Sequence, residues 1–283
     1  MNIWPLKNIR IIDATTRLKL ATSDGRSAYE SGRQAFERQH IPGAVFADLL
    51  TDFADTGAPH PITVPSSEQF ARAIGALGVS NDTHVIVYDQ LEGDTWPEYY
   101  PFWASRFWWH LRLEGHTKVS VLEGGLAKWK QEGRQIETGP VKVEPTQFTA
   151  RRQPGLLARV DDVVSAIGAN DVLLISALSP AIYSGEKQVY PRAGHIPRSK
   201  NVFFGDLIDT SSGRFADPAV VRPLLQQVGA LDPAVKPIVY CGSGIAATIV
   251  ALQLARLGRT DVAVYDGSMT EWVADERRPL QVS

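Results

Sequence analysis

Short apolar runs rich in β-branched residues alternate along the chain with longer stretches whose apolar positions fall three and four apart. Val85-Ile86-Val87-Tyr88 and Pro237-Ile238-Val239-Tyr240 have the length and composition of buried strands. Ser66-Ser67-Glu68-Gln69 has the form of a capping box, ahead of an apolar stripe at Phe70, Ile74 and Leu77. Asp217-Pro218 supplies an N-cap and a proline at the first helical position, before Val221, Leu224, Leu225 and Val228. Ile245 to Leu257 predicts another helix, and Phe102, Trp103, Phe107, Trp108 and Trp109 form an aromatic run with helical spacing suited to a core. Strands alternating with helices predict the α/β class, with mostly parallel sheets flanked by helices.

The pattern occurs twice. His40-Ile41-Pro42 returns as His195-Ile196-Pro197, and Val85-Ile86-Val87-Tyr88-Asp89 returns as Pro237-Ile238-Val239-Tyr240-Cys241. Leu122-Glu123-Gly124-Gly125 with Trp129 returns as Tyr265-Asp266-Gly267-Ser268 with Trp272, and Arg10-Ile11-Ile12-Asp13-Ala14 weakly matches Leu173-Leu174-Ile175-Ser176-Ala177. Blocks recurring in one order at about half the chain length imply a duplicated domain, since solenoid repeats run only about 20–50 residues. The stretch from about Gln135 to Pro154 is rich in Pro, Thr and charge without clear periodicity. We therefore expect a first domain at 1–137, a linker at 138–154 and a second domain at 155–283. His40 and His195, present in both copies, read as structural, and Asp13 and Asp161-Asp162 as turn or cap residues.

The copies differ at one chemically decisive position. Cys241 ends the second strand and is followed by Gly242-Ser243-Gly244 and a helix, whereas the first copy has Asp89 followed by Gln90-Leu91-Glu92-Gly93-Asp94. A lone cysteine at a strand end is most often a small hydrophobe. Here the glycines let backbone N–H groups converge, and a helix N-terminus favours the thiolate, the reactive form of the side chain. A carboxylate at position 89 cannot carry sulfur, so the first copy reads as a non-catalytic wall of a cleft.

Composition narrows the setting. With 44% hydrophobic and 21% charged residues and a net charge of -2, the 283-residue chain gives no sign of nucleic-acid or membrane binding. One cysteine excludes an intrachain disulfide framework and any multi-cysteine metal site. No cofactor or metal is expected. The first residues lack the apolar core of a secretory signal, so a reducing, cytoplasmic location is expected.

Taken together, these blocks resemble the two-domain rhodanese-type sulfurtransferases over nearly the whole chain. Cys241-Gly242-Ser243-Gly244-Ile245-Ala246-Ala247 is similar to the active-site loop of the 3-mercaptopyruvate-using branch, whereas thiosulfate-using members typically carry Arg and Lys after the cysteine. The resemblance implies that Cys241 accepts a sulfane sulfur as a persulfide and passes it to cyanide, a small thiol or thioredoxin. Gly242, Gly244, Ile245, Ala246 and Ala247 would stabilise the anion, and Ser243 would relay a proton. The family's histidine partner matches His60, while its acid position falls on Leu50, with Asp48 and Asp52 nearby. The family's anion-gripping arginines are replaced by Leu178 and Ile182. Arg192 is retained, and Arg106 is a further basic candidate for holding the donor. Met269 stands where a tryptophan is common. The donor thus stays open between 3-mercaptopyruvate, which the loop favours, and thiosulfate, and a low-turnover sulfur carrier is the remaining alternative. Ala247 stands where a phosphatase of this fold would have its phosphate-binding arginine, which argues against that reading.

Overall fold

The computed structural model describes residues 8–19, 28–90, 101–209 and 212–283. Positions 91–94, read above as the loop after Asp89, lie outside them. The chain divides into two compact units, with residues 27–153 forming most of the first and 154–210 with 214–283 most of the second.

The first unit contains β1 (Ile9–Asp13), β2 (Thr16–Lys19), β3 (Ala28–Ser31), α1 (Arg33–Arg38), β4 (Val45–Phe46) and α2 (Ser67–Ala76). It continues through β5 (His84–Tyr88), α3 (Phe102–Leu113), β6 (Val119–Val121) and α4 (Gly125–Gln131). Its main sheet has the order β4-β1-β5-β6, with every pair parallel. The second unit contains β7 (Leu157–Ala158), α5 (Val160–Ala166), β8 (Val172–Ser176), α6 (Pro180–Ser184), β9 (Lys200–Asn201), β10 (Ile208–Asp209) and β11 (Arg214–Phe215). It ends with α7 (Pro218–Gln227), β12 (Lys236–Tyr240), α8 (Ala247–Arg256), β13 (Ala263–Tyr265) and α9 (Ser268–Ala274). Its sheet, β7-β13-β12-β8-β9, is again parallel throughout. The predicted α/β class and the duplication are both present.

Both sheets reverse direction at corresponding places. From β8 the chain moves outward to β9, and from β12 it moves the other way to β13; β1 and β5 diverge likewise toward β4 and β6. The carboxyl ends flanking such a reversal form a natural crevice. Cys241 follows β12 and Asp89 follows β5, so the repeat places both residues at that point of their sheets. Four of the five residues of β12 are buried, as a central parallel strand covered on both faces requires.

The repeated His-Ile-Pro blocks are structural in both units. The Nδ1 of His40 donates to the Phe36 carbonyl at 2.8 Å and that of His195 to the Tyr183 carbonyl at 2.7 Å. Each imidazole stacks on the ring of that same residue, at 4.1 and 3.7 Å between centroids. Ile41 and Ile196 each donate their N–H to the hydroxyl of the tyrosine ending the central strand, Tyr88 and Tyr240, at 3.2 Å. Finally, His40 pairs in antiparallel fashion with Glu137, and His195 with Gln281.

Several local expectations are refined. Ser66 caps α2 by accepting from the Gln69 N–H, but the Gln69 amide turns to the carbonyls of Thr51, Asp52 and Ala54 instead of closing a capping box. Asp217 caps α7 with Pro218 at its start, and Asp162 accepts from the Arg159 N–H. The helix expected from Ile245 begins at Ala247. The 138–154 stretch, expected as a linker, has no helix or strand up to Gln153 yet is fastened along the first unit. Thr146, Arg151 and Gln153 donate to the carbonyls of Gly75, Glu114 and Leu113, and Asn81 pairs with Thr149 in both directions.

Candidate active site

The candidate site starts from the end of β12. Cys241 is buried at 2% exposure, and the chain then turns through Gly244 at φ +73° into α8. The positive φ explains the second glycine of the loop, since a side chain there is strained. The N–H groups of Gly242, Ile245, Ala246 and Ala247 make no hydrogen bond among the described residues. They lie at the N-terminal end of α8, where the helix dipole adds partial positive charge. A buried sulfur followed by uncommitted N–H donors is an anion-binding arrangement.

Ser268 holds this loop in place. Its Oγ accepts from the N–H of Cys241 at 3.0 Å and of Gly244 at 3.1 Å, and donates to the Tyr265 carbonyl at 2.8 Å. The Gly244 N–H, expected to face the sulfur, is therefore committed to Ser268. Ser268 adopts φ +48°, and the matching residue of the first unit is Gly125 at +52°. The second unit thus keeps a side chain in a conformation that usually selects glycine, at a cost of about 1 kcal/mol. Its three buried hydrogen bonds offset that cost. The substitution of Ser268 for the first copy's Gly125 is the sequence signal for this role. Beside Ser268, Met269 and Thr270 donate their N–H groups to the carbonyls of Cys241 and Gly242 at 3.1 and 2.9 Å, and the Thr270 hydroxyl adds a 2.8 Å bond to Gly242. Met269 is fully buried.

The other expected residues fall as follows. Ser243 is half-buried in the loop. Leu178 is buried and Ile182 half-buried, and neither can bind a carboxylate. Arg192 directs its guanidinium to the carbonyls of Asp275 and Arg278, at 3.1 and 2.7 Å, and so braces the segment after α9. His60 lies in the first unit, half-buried, with its carbonyl accepting from the Thr63 hydroxyl. Asp48 accepts from the Ser31 hydroxyl and the Leu50 N–H, which gives its carboxylate a local structural task.

Arg106 requires a correction. Its side chain is 1% exposed, donates to the Ile62 carbonyl at 2.8 Å and stacks on Trp109 at 4.6 Å. These contacts give its guanidinium a structural task within the first unit. Asp13 is likewise more than a turn residue. It accepts from the Thr15 N–H at 2.9 Å, as a turn aspartate would, but is fully buried, and its second oxygen accepts from the Gln90 amide at 2.8 Å. Burial raises its carboxyl to about 6, against the opposing pull of these hydrogen bonds.

Asp89 occupies the first unit's counterpart of the cysteine position. Its Oδ2 accepts from the N–H groups of Trp103 and Ala104, both at 3.0 Å, at the start of α3. The helix N-terminus that would face an external anion there is bonded to the chain's own carboxylate. Among the described residues no group of three or more His, Cys, Asp or Glu could hold a metal ion, and no helix is long and apolar enough to cross a membrane.

Rhodanese-like domain models match residues 8–132 and 160–275. The chain belongs to the rhodanese-like family. A 3-mercaptopyruvate sulfurtransferase of Escherichia coli K12 is 36% identical, with 96% of this chain and 92% of the relative covered. A 3-mercaptopyruvate sulfurtransferase of Rattus norvegicus is 34% identical over 95% and 89%. A thiosulfate sulfurtransferase of Mus musculus is 36% identical over 85% and 79%. The crystal structure of SseA from E. coli, a 3-mercaptopyruvate sulfotransferase, superposes with a TM-score of 0.75 at 35% identity, covering 93% of each chain.

Proposed function

We propose that this sulfurtransferase moves a sulfane sulfur from a small anionic donor, with 3-mercaptopyruvate favoured, through a persulfide on Cys241. The observation that carries the reading is the Cys241 cradle: a buried sulfur at the end of a central parallel strand, followed by the N–H groups of Gly242, Ile245, Ala246 and Ala247, which make no hydrogen bond among the described residues. The Cys241 thiolate attacks the donor sulfur, so that an S–S bond forms as the donor's C–S bond breaks. The electron pair of that C–S bond passes into the pyruvate enolate, which takes up a proton, with the Ser243 hydroxyl as relay. In the second step an acceptor such as cyanide, a small thiol or reduced thioredoxin attacks the outer sulfur. The S–S bond then breaks and its electron pair returns to Cys241 as thiolate. Two displacements through a covalent intermediate predict ping-pong kinetics. The N–H groups of Gly242, Ile245, Ala246 and Ala247 stabilise the negative charge in both steps. His60 is the base that the family resemblance proposes, and the cytoplasm is the proposed location.

Thiosulfate is the second donor reading, favoured by Leu178 and Ile182 where a carboxylate clamp would need arginines. Initial rates on 3-mercaptopyruvate and on thiosulfate, with cyanide as acceptor and Cys241→Ala as blank, test both. A clear preference for 3-mercaptopyruvate is expected, and Cys241→Ala should be inactive yet folded. Full activity in Cys241→Ala would remove the central claim, and a preference for thiosulfate would replace the first donor by the second.

A further inference from the structure

We infer that Thr270 is a positioning residue of the Cys241 cradle, its hydroxyl fixing the peptide group between Gly242 and Ser243 so that the Gly242 carbonyl stays turned away from the anion. The inference rests on the reading of Cys241 as the sulfur carrier. Its basis is how the start of α9 holds the loop. The Met269 N–H donates to the Cys241 carbonyl at 3.1 Å, and the Gly242 carbonyl accepts from the Thr270 N–H at 2.9 Å and the Thr270 hydroxyl at 2.8 Å. Two successive carbonyls of the loop therefore point at α9. In a planar trans peptide the N–H points opposite to the carbonyl, so the Gly242 N–H, which follows the held Cys241 carbonyl, is directed away from α9. That N–H makes no hydrogen bond among the described residues and is one of the donors left for an anion.

Gly242 is the residue whose following peptide most needs holding. A Cβ there would lie 2.4 Å from the Tyr190 hydroxyl oxygen, so the position is closed to a side chain. Glycine brings backbone freedom with it. Rotation of the peptide after Gly242 would carry its carbonyl oxygen to the side on which the Gly242 N–H faces. A carbonyl dipole there would oppose the negative charge that the N–H groups stabilise. The first unit provides the control. Leu126, the counterpart of Met269, donates to the Asp89 carbonyl at 3.2 Å, so the first hold is common to both repeats. The second is not. Thr270 corresponds to Ala127, which has no hydroxyl, and among the described residues no bond joins the Ala127 N–H to the Gln90 carbonyl. The double hold is thus present only in the unit that carries the cysteine. Thr270 is exposed, a place where water could satisfy its hydroxyl and where a side chain adds little to the core.

The test pairs Thr270→Val, which keeps the shape and the N–H but removes the hydroxyl, with Thr270→Ser, which restores it. Sulfur transfer to cyanide is measured with whichever of 3-mercaptopyruvate and thiosulfate the parent turns over faster. A hydrogen bond between neutral groups is worth roughly two- to tenfold in an equilibrium. Thr270→Val should therefore lower kcat about three- to tenfold while KM for the donor stays within about twofold, because the hydroxyl is engaged with the loop and not with the donor. Thr270→Ser should recover most of kcat. Urea unfolding midpoints of the three proteins should coincide, since substitutions at exposed positions seldom change stability. A parental kcat in Thr270→Val overturns the inference. So does a Thr270→Ser variant as slow as Thr270→Val, which would assign the effect to the methyl group. A raised KM with unchanged kcat, or a rate loss matched by loss of folded protein, overturns it as well. Mass spectrometry of the parent treated with each donor separates the two levels. Absence of a Cys241 persulfide with both donors would remove the carrier reading itself, whereas its presence with a parental kcat in Thr270→Val removes only the role of Thr270.

Discussion

Replacing Ser268 tests whether the active loop is held by one side chain. Ser268→Ala strands the N–H groups of Cys241 and Gly244 and leaves the Tyr265 carbonyl without that donor, all in buried surroundings. Each stranded donor costs about 1–3 kcal/mol, so the variant should lose about 2–6 kcal/mol of stability in the second unit. Ser268→Gly loses the same bonds but releases the φ +48° strain, and should be about 1 kcal/mol less destabilised than Ser268→Ala. Activity should fall in both, because a loop displaced by 1 Å at the nucleophile can cost about 100-fold. Urea unfolding followed by tryptophan fluorescence measures the first effect, since Trp272, one turn after Ser268 in α9, is fully buried. Initial rates of sulfur transfer measure the second. If both variants unfold within about 0.5 kcal/mol of the parent, the hydrogen bonds do not carry the loop. If Ser268→Gly is the less stable of the two, the strain argument is wrong.

Two further predictions concern the first unit. The Asp13 carboxyl sits at about 6 because burial disfavours its charge, so its folded-state pKa lies above the unfolded value. Its contribution to stability is therefore fully present below about pH 4 and lost as pH rises through about 6, by about 3 kcal/mol for a shift of roughly two units. Asp13→Asn should abolish that decline in pH-dependent urea titrations, and an unchanged pH profile would contradict it. Asp89→Ala should destabilise the same unit by about 2–3 kcal/mol, because two buried N–H groups of α3 lose their acceptor. Chemical denaturation would measure this, and a neutral effect would show that Asp89 does not cap the helix.

The elements and the duplication were legible in the sequence because each rests on local periodicity or on repeated blocks. The nucleophile was legible because a single cysteine stands between a strand run and a glycine turn. Residues whose roles depend on contacts across the sheet were not. Asp13 looked like a turn residue because its burial comes from Gln90 and Tyr88, on the strand beside β1 and just beyond it. Arg106 looked like an available cation because no sequence pattern shows that Trp109 and the Ile62 carbonyl enclose it. Tyr190 lies about fifty residues before Gly242, in a segment without helix or strand, and only folding brings its hydroxyl against that glycine. Ser268 was the exception: comparing Gly125 with Ser268 between repeats could have revealed a side chain tolerated at a glycine-like conformation for what it binds.

The paired histidines also bear on how the polypeptide can be divided. In each half a late segment returns to lie antiparallel against that half's own His-Ile-Pro block, Glu137 on His40 and Gln281 on His195. Each half is therefore latched shut by residues of its own, and the stretch after Glu137 continues to serve the first half as far as Gln153. The natural seam is the Gln153–Pro154 bond rather than the compositional break near Gln135. Two separate polypeptides cut at that bond would each retain a complete latch, and a cut near Gln135 would leave the first with an unfastened edge.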